Sequence, residues 1–246
     1  PGGACSPDVT QLRNAGVTLP RGDRVEMSAG WTVEAWVRSA NMAAETGTLI
    51  QNRVGGRAQF ALSLQNGVPQ ASFDGPTGVV TADGAALEND RWYHLAAVYD
   101  DAEATLSLWI DGTGGAVTEL EPTETPVLGA GTALLGASNG WTAALIDRVR
   151  VWSTARTQEE IADNLDRVLT TGTSFLVANY RFDDGGLTLE DFAHAHPTPN
   201  AEEFALVAAN YGIGQTGGHA DWLSNRQAPT RAHSFDDADT DGLPDW

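Results

Sequence analysis

Apolar positions along this chain recur mostly with period two, in short segments. Thr32-Val33-Glu34-Ala35-Trp36-Val37-Arg38 alternates small or apolar residues with polar ones, the pattern of a strand with one buried face. Thr48–Gln51 follows, then Gln59–Leu64, closed by Gln65-Asn66-Gly67. Asn-Gly tolerates positive φ at both central positions of a tight hairpin, which marks that turn. Gln70–Phe73 is the next strand, ended by Asp74-Gly75-Pro76. Trp92–Tyr99 and Ala104–Ile110 form a pair joined through Asp100-Asp101, and Asp111-Gly112 ends the second member. Strands spaced about 8–12 residues apart with turns between them predict a sandwich or barrel.

The period changes after Val151. Thr157 and Glu160 stand at capping-box spacing, and Ile161, Leu165, Val168 and Leu169 recur on one helical face. That predicts a single amphipathic helix of about three turns, packed by one side. Phe175–Phe182 (FLVANYRF) returns to a strand pattern. The stretch from Asp183 to Asn225 is rich in Gly and Asp with short apolar patches, and from Gln227 the chain reads as a linker.

Trp36, Trp92, Trp109 and Trp152 fall where alternation turns a side chain inward, and rings of that size suit the roughly 10 Å gap between stacked sheets. Trp141, in the turn-rich Ser138-Asn139-Gly140-Trp141, is the better candidate for an exposed ring on which a sugar stacks, with Asn139 beside it.

Composition adds an unusual charge to this ordinary globular pattern. There are 33 acidic residues against 14 basic ones, every basic one is Arg, and the net charge is −19. Such a chain repels nucleic acid and anionic membranes and favours cations. No apolar run approaches the roughly 18 residues of a membrane span, so no membrane insertion is expected. The chain begins with Pro1, which fits a processed chain or a fragment. The lone Cys5, in PGGACSPD, forms no internal disulfide; it is a free thiol or an intermolecular attachment point.

Carboxylate pairs for sugar chemistry are hard to find. A retaining glycosidase holds two carboxylates about 5–5.5 Å apart. Glu119-Leu-Glu121-Pro-Thr-Glu124 is the nearest string, but Pro122 interrupts it and the segment reads as a loop. His194-Ala-His196 lies in a loop without an evident third ligand, and no GxSxG or phosphate-loop motif is present.

The order of the pieces carries a resemblance. WTVEAWVR, GTLIQNR, DRWYHLAAVYD, LSLWIDG, LIDRVRVWSTARTQEEIADNL and LVANYRFDDGG, in that sequence, resemble the bacterial laminin-G-like domains of the concanavalin-A-like superfamily over residues 9–212. The resemblance implies an all-β jelly-roll of two stacked antiparallel sheets with one short helix at an edge. It also implies one structural calcium, for which Asp147 is the matching ligand and Asp23 a weaker partner; the bland alternative for Asp147 is a salt bridge to an Arg.

The strongest short motif is Asp237-Ala-Asp239-Thr-Asp241-Gly242-Leu243-Pro244-Asp245. Alternate carboxylates on a tight loop, with Gly242 at the turn, follow the logic of a calcium loop, although the closing bidentate Glu of an EF-hand is missing. The segment resembles a partial thrombospondin type 3 unit, which implies that Asp237, Asp239, Asp241 and Asp245 hold calcium.

The expected organisation is a tail over 1–8, a sandwich over 9–225, and a linker with the acidic calcium motif over 226–246. The expected function is a non-catalytic extracellular module that uses calcium and recognises a glycan or protein ligand. The alternatives are a subunit of a filament, surface layer or matrix that joins copies of itself through its tails, and a glycoside hydrolase or lyase on the same fold.

Overall fold

The computed structural model describes residues 17–18, 27, 30–129, 132–135, 144–169, 172–180, 188–190, 193 and 205–207. Asp23, Asn139, Trp141, Cys5 and the acidic motif from Asp237 to Asp245 lie outside the described residues, as do His194 and His196.

In chain order the strands are β1 (Val17–Thr18), β2 (Gly30–Arg38), β3 (Gly47–Val54), β4 (Arg57–Gln65), β5 (Val68–Asp74), β6 (Val79–Asp83), β7 (Tyr93–Asp100), β8 (Thr105–Ile110), β9 (Gly115–Glu119), β10 (Thr132–Leu135) and β11 (Leu145–Trp152). Helix α1 (Gln158–Asn164) precedes β12 (Leu176–Tyr180), β13 (Thr188–Glu190) and β14 (Ala205–Val207). Two six-stranded antiparallel sheets result: sheet A in the order β1-β10-β3-β4-β5-β6 and sheet B in the order β12-β11-β2-β7-β8-β9; β13 and β14 pair apart. The fold is an open two-sheet sandwich, as the alternation predicts, of the jelly-roll kind that the resemblance implies.

The core lies between the sheets. From sheet A it takes Ile50, Phe60, Leu62, Leu64, Ala71 and Phe73; from sheet B, Trp31, Val33, Ala35, Val37, Leu95, Tyr99, Leu106 and Leu108. Trp31 is its largest side chain, with ring centroids 5.5 Å from Phe60 and 5.9 Å from Tyr99. Along one side the sheet edges meet: Thr118 on β9 donates its hydroxyl to the Thr81 carbonyl on β6 at 2.9 Å.

Two turns have the expected chemistry. Asn66 and Gly67 take φ of 52° and 74°, the doubly positive pair a two-residue hairpin needs. The capping box on α1 is complete: Glu160 N donates to Thr157 Oγ1 at 3.2 Å and Thr157 N to Glu160 Oε2 at 3.0 Å.

Three expectations are corrected. β2 is buried on both faces rather than one. The helix is seven residues long, and Val168 is exposed instead of lying on its packed face. The helix stops at Asn164 because Arg150, rising from the sheet, takes the Asn164 carbonyl at 2.8 Å and the Arg167 carbonyl at 2.5 Å. Finally, Trp36, Trp92, Trp109 and Trp152 point away from the gap between sheets. Trp36 and Trp92 pack with Leu165, Trp109 joins the cluster around Ile161, and Trp152 packs with Leu176, all on the outward side of sheet B. β2 makes this plain: Thr32, Glu34 and Trp36 share one face and Trp31, Val33, Ala35 and Val37 the other.

Candidate ligand-binding face

The outward face of sheet B is closed by α1 and the segment leading to it. Ile161 seats on Ala96 and Val98, and Leu165 on Trp36 and Trp92. Gly112 lets the helix approach, since a Cβ there would stand 2.9 Å from Ala162 Cα. The leading segment is pinned by Thr32, whose hydroxyl donates to the Thr154 carbonyl at 2.9 Å and accepts from Arg156 N at 2.9 Å.

Beneath this cover lies a group of buried polar side chains, which periodicity alone does not reveal. Glu34, fully buried, accepts from Trp152 Nε1 at 2.6 Å and from His94 Nε2 at 3.1 Å, with Arg150 Nη1 at 3.5 Å. A carboxylate only accepts, so the His94 proton at this contact sits on Nε2. Burial alone would raise the Glu34 pKa; the His94 hydrogen bond and the charges of His94, Arg150 and Arg156 outweigh it and hold the carboxyl below the usual range. Burial lowers the Arg150 pKa, and Glu34 offsets part of that. With Glu34 at 0 % exposure and His94 at 1 %, this group reaches no solvent and binds the helix to the sheet rather than a ligand.

Asp147, the candidate calcium ligand, lies at the edge of the same face. β11 bulges here, for Asp147 pairs with Trp36 and Arg150 with Glu34, so three steps on β11 span two on β2. The Asp147 carboxylate is buried and Oδ1 accepts from Arg148 N at 2.7 Å, while Arg148 takes a φ of 46°. One carboxylate oxygen is thus engaged by the adjoining backbone. Among the described residues no three His, Cys, Asp or Glu side chains converge as metal ligands.

Sheet A differs. Its outward face is read directly from register: Gln51, Ala61, Ser72 and Thr81 form one cross-strand row, and Ser63, Gln70 and Asp83 a second. Their chain neighbours Ile50, Phe60, Leu62, Ala71, Phe73 and Ala82 point into the core. The side chains are short and polar. Ala61 and Ser72 are recessed, Ser63, Gln70 and Thr81 are half-buried, and Asp83 is exposed. Gln70 Nε2 donates to Asp83 Oδ1 at 2.6 Å, which orients both at one end. At the other end Gln59 is held under the segment after β9, donating to the Val127 carbonyl at 2.8 Å, and Asp74 faces outward beside Val79.

Among the described residues of this face the carboxylates stand far apart. Its two carboxylates, Asp74 and Asp83, attach at positions paired with Val79 and with Gln70, four steps apart along β6. At about 3.3 Å per residue that is roughly 13 Å, beyond both the retaining and inverting separations. Glu119 ends β9 and Glu124 accepts from the Thr77 hydroxyl.

These features define a class, the two-sheet antiparallel sandwich, here with a helix packed on the outward face of sheet B. Residues 12–162 match the family model described as the concanavalin A-like lectin/glucanases superfamily, and the chain belongs to that family. Among solved structures, a candidate carbohydrate-binding protein from Bacteroides ovatus shares the fold with a TM-score of 0.51 at 16% identity, over 78% of this chain and 57% of that one. This chain therefore spans 57% of that protein's length. More distantly similar are a heptameric pentraxin from Limulus polyphemus (TM-score 0.45, 14% identity, 62% of this chain and 82% of that one) and the binding domain of botulinum neurotoxin serotype D (0.46, 13%, 59% and 39%). No curated protein matches the chain. Among the described residues no helix is long and apolar enough to cross a membrane.

Proposed function

We propose that the protein is a non-catalytic, extracellular carbohydrate-binding module whose ligand lies across the outward face of sheet A. The two cross-strand rows of short, mostly polar side chains on that face carry the reading. Hydroxyl and amide groups from the half-buried Ser63, Gln70 and Thr81 offer donors and acceptors at the roughly 4.8 Å strand spacing, beside the small buried side chains of Ala61 and Ser72. A protein partner would find little apolar anchor among these side chains. The wide separation of Asp74 and Asp83 favours binding without cleavage, and the Bacteroides protein of like fold is itself a candidate sugar binder.

Calcium belongs to the proposal through Asp237, Asp239, Asp241 and Asp245, whose alternate carboxylates suit a hard cation with loose geometry. The test of the binding reading is a broad glycan array probed with the full chain and with Ser63→Trp, which fills the second row. Glycan signal lost in Ser63→Trp with an unchanged melting temperature supports the face. Signal retained in the variant, or absent from the parent, sinks it.

A further inference from the structure

The turn between β3 and β4 is Gly55-Gly56, with φ of 56° and 85°, and a Cβ added to either glycine would meet nothing within 4 Å. The hairpin tip therefore stands in open space at the Asp74 end of the open face. Arg53 and Arg57 flank it. Arg53 donates to Gln51 Oε1 at 3.4 Å and to the Gly56 carbonyl, and Arg57 donates to the Asp74 carbonyl at 2.7 Å. All three acceptors are neutral. The Asp74 carboxylate takes the Ala58 N–H at 2.7 Å and lies 4.0 Å from Arg53.

That pattern is unexpected in a chain with 33 acidic and 14 basic residues, where a guanidinium readily finds a carboxylate at contact distance. Arg91 does so, meeting Asp111 at 2.7 Å, and Arg150 sits in the Glu34 group. At the tip Arg57 bonds the neutral Asp74 carbonyl and Arg53 has one long ion pair, with the Asp74 carboxylate at 4.0 Å, so two guanidiniums share a single carboxylate. Each guanidinium has five N–H donors, so hydrogen-bonding capacity remains beyond the contacts above.

We infer that Arg53 and Arg57 form a subsite for a carboxylate or sulfate group on the bound oligosaccharide, so that the ligand is an acidic glycan. This rests on the carbohydrate-binding reading. The planar fork of Arg matches such an oxyanion through paired hydrogen bonds. The buried Gln51, which Arg53 contacts, pairs into the row of Ala61, Ser72 and Thr81, so the tip adjoins the polar row that would meet uncharged hydroxyls of the same ligand. The net charge of −19 limits the ligand to a few anionic groups, because a dense polyanion is repelled at a distance while a single group at the tip meets local positive charge.

The experiment uses the full chain on an array holding neutral, uronate-bearing and sulfate-bearing oligosaccharides, followed by calorimetric titration of the strongest members. Acidic members should bind at least about tenfold tighter than neutral ones of the same backbone, the factor expected for a charge-assisted pair. Arg57→Gln should remove that preference and leave neutral affinity unchanged, and Arg57→Lys should keep part of it. Arg91→Gln deletes an equal charge from a loop of sheet B and should leave it intact. Uronate over sulfate, or the reverse, identifies the anion. Equal binding of acidic and neutral members overturns the inference and leaves sugar binding standing, as does an acidic preference that survives Arg53→Gln/Arg57→Gln. Absence of every glycan signal overturns both.

Discussion

Replacing Glu34 by Gln tests the energetic account of the buried polar group most directly. The amide is nearly isosteric and its oxygen still accepts from Trp152 Nε1, now 2.6 Å from the carboxylate, so packing hardly changes. Three things are lost: the anion facing Arg150 at 3.5 Å, the charged acceptor for His94 at 3.1 Å, and freedom from donor–donor conflict, since the new NH₂ must face one of them. Arg150 is 2 % exposed and would be left as a buried cation hydrogen-bonded to carbonyls, with Asp147 its remaining nearby anion. Removing one partner of a buried pair costs about 3–5 kcal/mol; with one hydrogen bond preserved, about 3 kcal/mol is expected. Urea unfolding at neutral pH should then show the midpoint falling by about 1–2 M at unchanged slope.

The same group sets a pH dependence with a definite sign. The Glu34 pKa is lowered from the ordinary carboxyl value of 4.5, so the folded protein holds its proton less tightly than the unfolded chain. Its contribution is complete above the unfolded pKa and is lost as pH falls through the depressed folded value. The parent should therefore lose stability more steeply than Glu34→Gln below about pH 4.5, and the two should converge in acid. A cost below about 1 kcal/mol at neutral pH, or parallel acid profiles, would refute the reasoning. So would strict additivity of Glu34→Gln with Arg150→Met, because residues sharing one buried network must couple.

Other predictions follow from single observations. Phe175 holds a φ of 65° while 63 % exposed, so Phe175→Gly should be neutral to about 1 kcal/mol stabilising by thermal unfolding, and a clear loss would show that the ring packs in a way its exposure conceals. Gly112→Ala sets a Cβ 2.9 Å from Ala162 Cα at a φ of 65°, and should cost about 2 kcal/mol or more while loosening α1, seen as faster amide exchange over Gln158–Asn164; wild-type exchange there would count against the close approach. If the C-terminal motif binds calcium coupled to folding, millimolar calcium over chelator should raise the melting temperature, about 2.7 kcal/mol being gained at a hundredfold excess over Kd. Identical curves would remove calcium from the proposal.

Much of the sandwich was legible because alternation reports burial of one sheet face. In sheet A the apolar positions of β4 and β5 do face the core, so these strands and the Asn66-Gly67 turn sit where the pattern puts them, although small or polar neighbours such as Gln59, Ala61 and Ser72 are buried as well. Sheet B breaks it. Covered on both sides, its strands bury Trp36 and Trp152 outward and Trp31 inward, and alternation cannot tell which side is the inter-sheet gap. The edge strands β6 and β9 were missed because Val79–Asp83 and Gly115–Glu119 carry few buried apolar residues. The helix was overestimated since Leu165 and Leu169 continue the periodicity, while its end is set by Arg150 from another element. The buried Glu34 group joins residues 60 and 118 positions apart, which local spacing cannot disclose. Its sequence trace is a Glu at a strand position flanked by apolar residues. The open face was hidden for the opposite reason: Ser, Thr and Gln on a strand look alike whether they face bulk solvent or a ligand.

The bulge in β11 has a consequence for how this strand tolerates change in length. Asp147 lies opposite Trp36 and Arg150 opposite Glu34, so one residue between them is surplus to the ladder, and Arg148, at a φ of 46°, is the one out of line. A chain shortened by that residue alone would keep Val149 facing the core and Arg150 facing Glu34 in an unbroken register. The extra residue is thus dispensable to the topology, and what it fixes is local: it turns the Arg148 N–H onto the Asp147 carboxylate and so sets the direction in which that buried acid points.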